Sequence, residues 1–294
     1  MLQAAWAYRA APQYFRRYSE DRRRRILPAP FRPDSASWSD RGLLAAWLGH
    51  STVLLKIDGV TVLTDPVLRA RVGIGLGPVT LGIKRIVEPA LLVDELPHID
   101  VILLSHAHMD HFDRPTLRLL ENRGTTVITA PRTSDLLRVR RYGRVEEIAW
   151  GERATVGPLT IRAFQVNHWG ARLRSDTYRG FNGYTVEAGR YRLLFGGDTA
   201  LTTSFRALKK SRPFDLAIMP VGAYDPWIRY HCTPEQAWQM ANEAGCEFFL
   251  PVHHQTFALS REPYFQPIER VSAAAGRNPE RVAVHRIGQE WRLT

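Results

Sequence analysis

Cysteine is nearly absent. The 294 residues hold two, Cys232 and Cys246, too few for a disulfide framework or a zinc site of four thiolates. Both can stay reduced as ordinary buried thiols, which suits a cytoplasmic address. Lysine is almost as scarce: of 40 basic residues only Lys56, Lys84, Lys209 and Lys210 are lysines, so the positive charge is carried by arginine. No run approaches the ~20 apolar residues a membrane-spanning helix needs. The opening Met1-Leu-Gln-Ala-Ala-Trp-Ala-Tyr-Arg9 also lacks the apolar centre of a signal peptide. These absences lead us to expect a cytoplasmic protein, soluble or peripheral at a membrane. With 45% hydrophobic and 23% charged residues the chain can bury a full core, which excludes wholesale disorder, a collagen-like chain and a coiled coil.

Charge is uneven. The net charge is +11, and residues 1–41 contribute +5 of it, nine arginines against Glu20, Asp21, Asp34 and Asp40. Trp6, Tyr8, Tyr14, Phe15 and Tyr18 lie in the same stretch. Such an arm suits an anionic membrane surface or nucleic acid, or simply packs its aromatics on the main domain. No recognisable RNA-binding motif accompanies it, which argues against a nucleic-acid partner. The charge favours an anionic substrate, either a small molecule or a phospholipid. Neither an internal repeat nor a linker interrupts the chain after residue 42, so one domain over 42–294 follows a basic N-terminal arm, 1–41.

The segment from Leu44 to Asp65 reads as a hairpin, with Asp58-Gly59 suited to a tight primed turn. Residues 72–83 are apolar, rich in Gly and interrupted by Pro78, the pattern of a mobile loop. Val101-Ile-Leu-Leu-Ser105 reads as a strand buried on both faces. Asp113 can cap a helix running to Leu120. Further strands are predicted at 126–129, 158–166, 184–187, 191–195 and 248–252. Thr233-Pro-Glu-Gln236 is a capping box opening a helix to about Asn242. Strands in hairpins and strands alternating with helices together predict an α/β fold with mixed, helix-covered sheets.

The most informative stretch is Ser105-His-Ala-His-Met-Asp-His-Phe-Asp113, directly after a buried strand. Alternate side chains at a strand end face one pocket, so His106 and His108 point together. Asp110 and His111 then approach from another direction. Neutral imidazoles with a carboxylate suit a borderline divalent cation, whereas clustered imidazolium ions would repel one another. His168, Asp198 and His253 each follow a predicted strand. Together these seven residues suffice for two cation sites sharing a carboxylate. His50, Asp65, His231 and Tyr224 are further candidates. His231 sits at a helix entry, and Asp65 is suited to orienting a ligand imidazole.

His106-Ala-His-Met-Asp-His111 matches the HxHxDH motif of the metallo-β-lactamase superfamily, and His168, Asp198 and His253 follow in that superfamily's ligand order. The resemblance implies an αββα sandwich of two mixed β-sheets flanked by helices, with two metals at one edge. His106, His108 and His168 would hold one metal, and Asp110, His111 and His253 the other, with Asp198 bridging. Within the superfamily the chain resembles the N-acyl phosphatidylethanolamine-hydrolysing phospholipase D group. The matching segments are Trp47-Leu-Gly-His-Ser-Thr-Val, Leu63-Thr-Asp-Pro, Glu95-Leu-Pro, Asn167-His-Trp, Gly197-Asp-Thr, Val221-Gly-Ala-Tyr and His231-x-x-Pro-Glu-Gln-Ala. It departs from that group at Val252-His253-His254-Gln255-Thr-Phe, where His-Trp-Gly-Thr-Phe is usual, so His254 competes with His253 as a ligand.

The implied activity is a metal-dependent phosphodiesterase in which a hydroxide bridging two Zn²⁺ attacks phosphorus, with Fe or Mn as alternative metals. Asp110, Asp198 and His231 are the implied catalytic residues, and His50, Tyr224 and His231 the implied substrate contacts. The alternatives are a small-anion hydrolase, such as a sugar-phosphate lactonase, and a nucleic-acid-binding protein or nuclease.

Overall fold

Strands that are apolar on both faces must be covered on both faces. In the computed structural model, which describes residues 21, 23–76, 79–173 and 175–293, they achieve this by stacking sheet on sheet and packing helices outside. β1 (Leu43–Gly49), β2 (Thr52–Ile57) and β3 (Val60–Thr64) form an antiparallel meander. Asp58 and Gly59 turn β2 into β3 with φ of +44° and +88°, the pair of positive angles that a type I′ turn requires. β4 (Arg71–Leu76) and β5 (Val79–Lys84) pair only with each other. β6 (Val101–Leu104), β7 (Thr126–Thr129) and β8 (Arg144–Glu147) then extend the first sheet in parallel beside β3. Helix α1 (Arg114–Leu119) lies between β6 and β7.

The second sheet begins with an antiparallel run: β9 (Arg153–Val156), β10 (Leu159–Phe164), β11 (Gly183–Ala188) and β12 (Tyr191–Phe195). β13 (Phe214–Pro220) and β14 (Cys246–Val252) continue it in parallel, joined through α2 (Pro234–Ala244). After α3 (Gln266–Ala275), β15 (Glu290–Leu293) returns to pair with β1. The orders are β15-β1-β2-β3-β6-β7-β8 in a seven-stranded sheet and β14-β13-β12-β11-β10-β9 in a six-stranded one. Both sheets are mixed and the architecture is the expected αββα sandwich.

Alternation along the strands builds the two layers of core. On β13, Leu216 and Ile218 join the core between the sheets, with Leu193 and Phe195 of β12 and Leu250 and Val252 of β14. Their neighbours Ala217, Met219, Leu194 and Phe249 face outward against Ala237, Met240 and Ala241 of α2 and Ile268 and Val271 of α3. α2 is held at its start by the predicted capping box: Thr233 Oγ1 accepts from Gln236 N at 3.3 Å and Gln236 Oε1 accepts from Thr233 N at 3.0 Å. Gly245 ends it at φ +79° in the left-handed region. No described helix is long and apolar enough to cross a membrane.

Two expectations change. Residues 72–83 are not an irregular loop; their described parts form the β4–β5 hairpin, with Val72 opposite Ile83 and Ile74 opposite Leu81. The glycines that rule out a helix permit a tight pair here, since a Cβ on Gly73 would lie 2.1 Å from Leu81 O. Val72 and Ile83 pack on Phe257, while Ile74 and Leu81 stay exposed. The described part of the arm is laid along the domain. Arg24 donates to the carbonyls of Arg85 and Lys84 at 2.6 and 2.9 Å, Leu27 N to Ile86 O at 2.9 Å, and buried Trp38 to Glu290 at 2.6 Å. Trp6, Tyr8, Tyr14, Phe15 and Tyr18 lie outside the described residues.

Gly288 is where this segment meets the domain: its φ is +88°, and a Cβ there would stand 1.8 Å from Phe31 O. Gly288→Ala is therefore expected to cost more than ~1 kcal/mol. The measurement is a lower urea midpoint at unchanged slope.

Candidate metal centre

Strand ends along one edge of the sandwich deliver the site. The loop after β6 carries His106, His108, Asp110 and His111. His168 follows β10, Asp198 follows β12, His253 follows β14, and His50 stands between β1 and β2. Asp198 reaches the centre because Gly197 turns at φ +56° in a space where a Cβ would lie 2.7 Å from Asn182 O and 2.8 Å from Ser105 Cβ. Only glycine fits that approach.

Two clusters result. His106, His108, His168 and Asp198 offer ligand atoms that all lie within 4.8 Å of one another, as do those of His50, Asp110, His111 and His253. In the first, His108 Nδ1 stands 2.8 Å from His106 Nε2 and 3.2 Å from His168 Nε2. In the second, His253 Nε2 and His111 Nε2 lie 3.5 and 3.6 Å from Asp110 Oδ2. Asp198 Oδ2 joins the clusters. It is 3.1 Å from His111 Nε2, 3.2 Å from His253 Nε2, 3.8 Å from both His106 Nε2 and His168 Nε2, and 3.9 Å from His231 Nδ1.

The surroundings fix ring orientation. Asp65 is fully buried and accepts from His111 Nδ1 at 2.7 Å, from Ser105 N at 2.7 Å and from Ser105 Oγ at 2.5 Å. This leaves His111 Nε2 facing inward, the arrangement in which a carboxylate orients a ligating imidazole. His168 Nδ1 donates to Tyr230 O at 2.9 Å and turns its Nε2 to the centre in the same way.

Charge is divided among these groups. Burial holds His50 down to about 3 and His108 and His231 down to about 4, and puts His106 and His168 well below the ordinary imidazole value. Burial works against protonation of His111 and His253 too, but the carboxylates of Asp198 and Asp110 outweigh it, raising His111 well above its usual value and His253 to about 9. Burial would likewise raise Asp110 and Asp198; the facing histidines, His111 first, instead hold both well below the carboxylate range.

The donor set fits divalent cations. Among the described residues, His111 Nε2, His253 Nε2 and Asp198 Oδ1 are buried without a hydrogen-bond partner. Each such atom costs about 1–3 kcal/mol unless something binds it. Imidazole nitrogens with carboxylate oxygens are the ligands of borderline metals. His106, His108, His168 and Asp198 would hold one cation, and Asp110, His111, His253 and Asp198 a second.

The structure brings together all seven sequence-proposed ligands, and His231 beside them. Asp65 sits behind them as an orienting carboxylate. His50 is buried and hydrogen-bonded to Asp110, not set in the substrate cavity. Tyr224 is also held apart: its hydroxyl donates to Gln266 Oε1 at 2.6 Å and it does not line the cavity over the metal centre. His254 turns away from the centre and stacks on Trp47 at 4.5 Å between ring centroids, between His253 and Gln255 that both sit at positive φ. That cavity, about 210 Å³, has Trp169, Trp227, Tyr230 and Leu259 among its walls. Sequence reasoning missed this apolar rim. Its one signal was a pair of aromatics, Trp227 and Tyr230, just before His231.

Comparison with known proteins agrees with this geometry. Residues 60–254 match the family model described as the Beta-lactamase superfamily domain. The chain belongs to the metallo-β-lactamase superfamily, and it is a metal-dependent hydrolase of that superfamily. It is 33% identical to an uncharacterized protein of Mycobacterium tuberculosis over 271 residues, covering 89% of this chain and 71% of that one. It is 30% identical to N-acyl-phosphatidylethanolamine-hydrolyzing phospholipase D 1 of Caenorhabditis elegans over 253 residues, covering 79% and 70%. The fold also matches a metallo hydrolase of Ignicoccus hospitalis with a TM-score of 0.63 at 20% identity, covering 86% and 99%.

The protonation pattern sets the stability of the metal-free protein. Seven histidines with lowered values (50, 106, 108, 168, 231, 254 and 285) stay neutral in the fold but take protons when unfolded, near pH 6.5. Stability is thus expected to fall as pH drops below about 6.5, by up to about 1.4 kcal/mol per pH unit for each group. The raised His111 contributes in the other direction, and so does the raised His253. The stabilisation from His253 is complete below about 6.5 and is lost as pH rises towards about 9. Urea midpoints of chelator-treated protein should peak near neutrality, and a midpoint that climbs steadily towards pH 5 would contradict the neutral assignments.

Proposed function

We propose that this hydrolase cleaves a phosphodiester in a lipid-like substrate, in the manner of the N-acyl phosphatidylethanolamine-hydrolysing phospholipases D, with two divalent cations, Zn²⁺ foremost. The observation that carries the reading is the make-up of the cavity. Its floor is His108, Asp110, Asp198, His231 and His253, and its walls are Trp169, Trp227, Tyr230 and Leu259. A polar, cation-holding floor under an aromatic rim suits a charged headgroup attached to apolar chains. Trp169, Trp227, Ile228 and Tyr230 are each 40–46% exposed, more apolar surface than a small anionic substrate would use. The 30% identity to the Caenorhabditis elegans phospholipase supports the same reading.

Bound divalent cations would lower the pKa of water to about 7 and neutralise charge on phosphoryl oxygens. The chain's own groups do the rest. Asp110, partly exposed and lining the cavity, is placed to orient the attacking water. Asp198 sets the spacing of the two clusters through the one oxygen they share. His231 is neutral at pH 7, so it donates a hydrogen bond to a phosphoryl or leaving-group oxygen. Arginine-rich residues 1–41 offer peripheral contact with an anionic membrane.

Metal-loaded protein is expected to hydrolyse N-acyl phosphatidylethanolamine in preference to a phosphorylated lactone or single-stranded RNA. Turnover of the lactone alone would replace this reading with the small-anion one. Chelation, His108→Ala or Asp198→Ala should abolish turnover. His231→Ala should slow it about 10²- to 10³-fold with metal content unchanged. Removing residues 1–20 should weaken binding to anionic vesicles while leaving turnover of dispersed substrate intact, as sedimentation alongside a turnover assay would register.

A further inference from the structure

β1 does not run straight into β2. The register slips between Trp47 and Gly49, and His50 is set at φ +52°, a left-handed conformation that histidine adopts more readily than most non-glycine residues. Backbone hydrogen bonds over-determine it. His50 N donates to Thr256 Oγ1 at 2.6 Å, and His50 O accepts from His253 N at 3.0 Å and from Trp47 Nε1 at 2.8 Å. The turn is thus tied directly to the strand end that delivers His253.

The imidazole is 1% exposed, it packs 4.2 Å from the His253 ring, and its Nε2 stands 3.0 Å from Asp110 Oδ2. A carboxylate accepts, so His50 Nε2–H is the donor. The same Asp110 oxygen lies 3.5 Å from His253 Nε2 and 3.6 Å from His111 Nε2. Those two nitrogens have no hydrogen-bond partner, whereas His50 Nε2 has one in Asp110. His111 and His253 also face the shared Asp198 oxygen at 3.1 and 3.2 Å, whereas His50 reaches the centre through Asp110, the arrangement of a group that holds a ligand in place.

We propose that His50 is a positioning residue for the second cation, donating Nε2–H to Asp110 and aiming that carboxylate between His111 and His253. The inference rests on the two-cation reading and on no particular substrate. Loss of a group that orients a ligand typically weakens metal binding 10- to 100-fold.

Two substitutions separate this role from direct ligation and from simple support of the fold. Asn tolerates positive φ but is too short to reach Asp110, while Gln can reach it and donate from Nε2. Zn²⁺ alone is titrated into metal-stripped protein against a chromophoric chelator, with thermal unfolding of the stripped variants as the fold control. Wild type should take two equivalents. His50→Asn should keep the first and bind the second 10- to 100-fold more weakly, and His50→Gln should restore the second to within a few-fold. An Asn variant with an unchanged second constant overturns the role of His50 and leaves the two-cation reading intact. A Gln variant as weak as Asn, with a His50→Asp variant as tight as wild type, overturns it in favour of direct ligation. A wild type that takes a single equivalent overturns the two-cation reading and this inference together.

Discussion

One carboxylate oxygen organises this edge of the molecule. Asp198 Oδ2 lies within 3.9 Å of nitrogens from five histidines, which arrive on four segments of the chain. With no negative group at that point, those imidazoles would be a desolvated cluster with nothing to converge on. Burying a carboxylate there is costly in turn, and it is tolerable only because positive charge, from protonated His111 and His253 or from cations, surrounds it. The Gly196-Gly197 approach, the parallel β12–β13 pairing and the close packing against Ser105 all serve to bring this one group inward. The rest of the site is arranged around it.

That division of labour explains what the sequence made legible. The HxHxDH run could be read because strand-end geometry makes its members converge whatever lies further along the chain. The later ligands could be read because each follows an apolar run that had to be a strand. Mixed, helix-covered sheets were legible from the order of strands and helices and the αββα layering from the family resemblance, whereas the strand carrying Leu216, Ala217, Ile218 and Met219 was not read from the sequence.

Other features were hidden for equally physical reasons. Residues 72–83 suggested a loop because their Gly content and Pro78 weaken any propensity, yet Gly73 and Gly82 are what let two strands approach so closely. The orienting acceptor for His168 is a backbone carbonyl, Tyr230 O, which no residue pattern can announce. His50 looked like a substrate contact because it follows Gly49 at the first predicted strand. Only the bulge at Trp47–Gly49 decides that its ring turns under Asp110. Tyr224 looked equally suitable until Gln266, from a helix 42 residues on, took its hydroxyl.

The pairing of β15 with β1 bears on how the centre comes into being. Ala45 is opposite Trp291, and Trp47 exchanges backbone hydrogen bonds with Gly288 and Gln289. The strand that leads into the His50 bulge is therefore flanked by a segment some 240 positions away. Contacts of such long range form slowly, because the intervening loop must first be closed. The turn at His50 is therefore expected to settle late in folding, once the two ends of the chain have met.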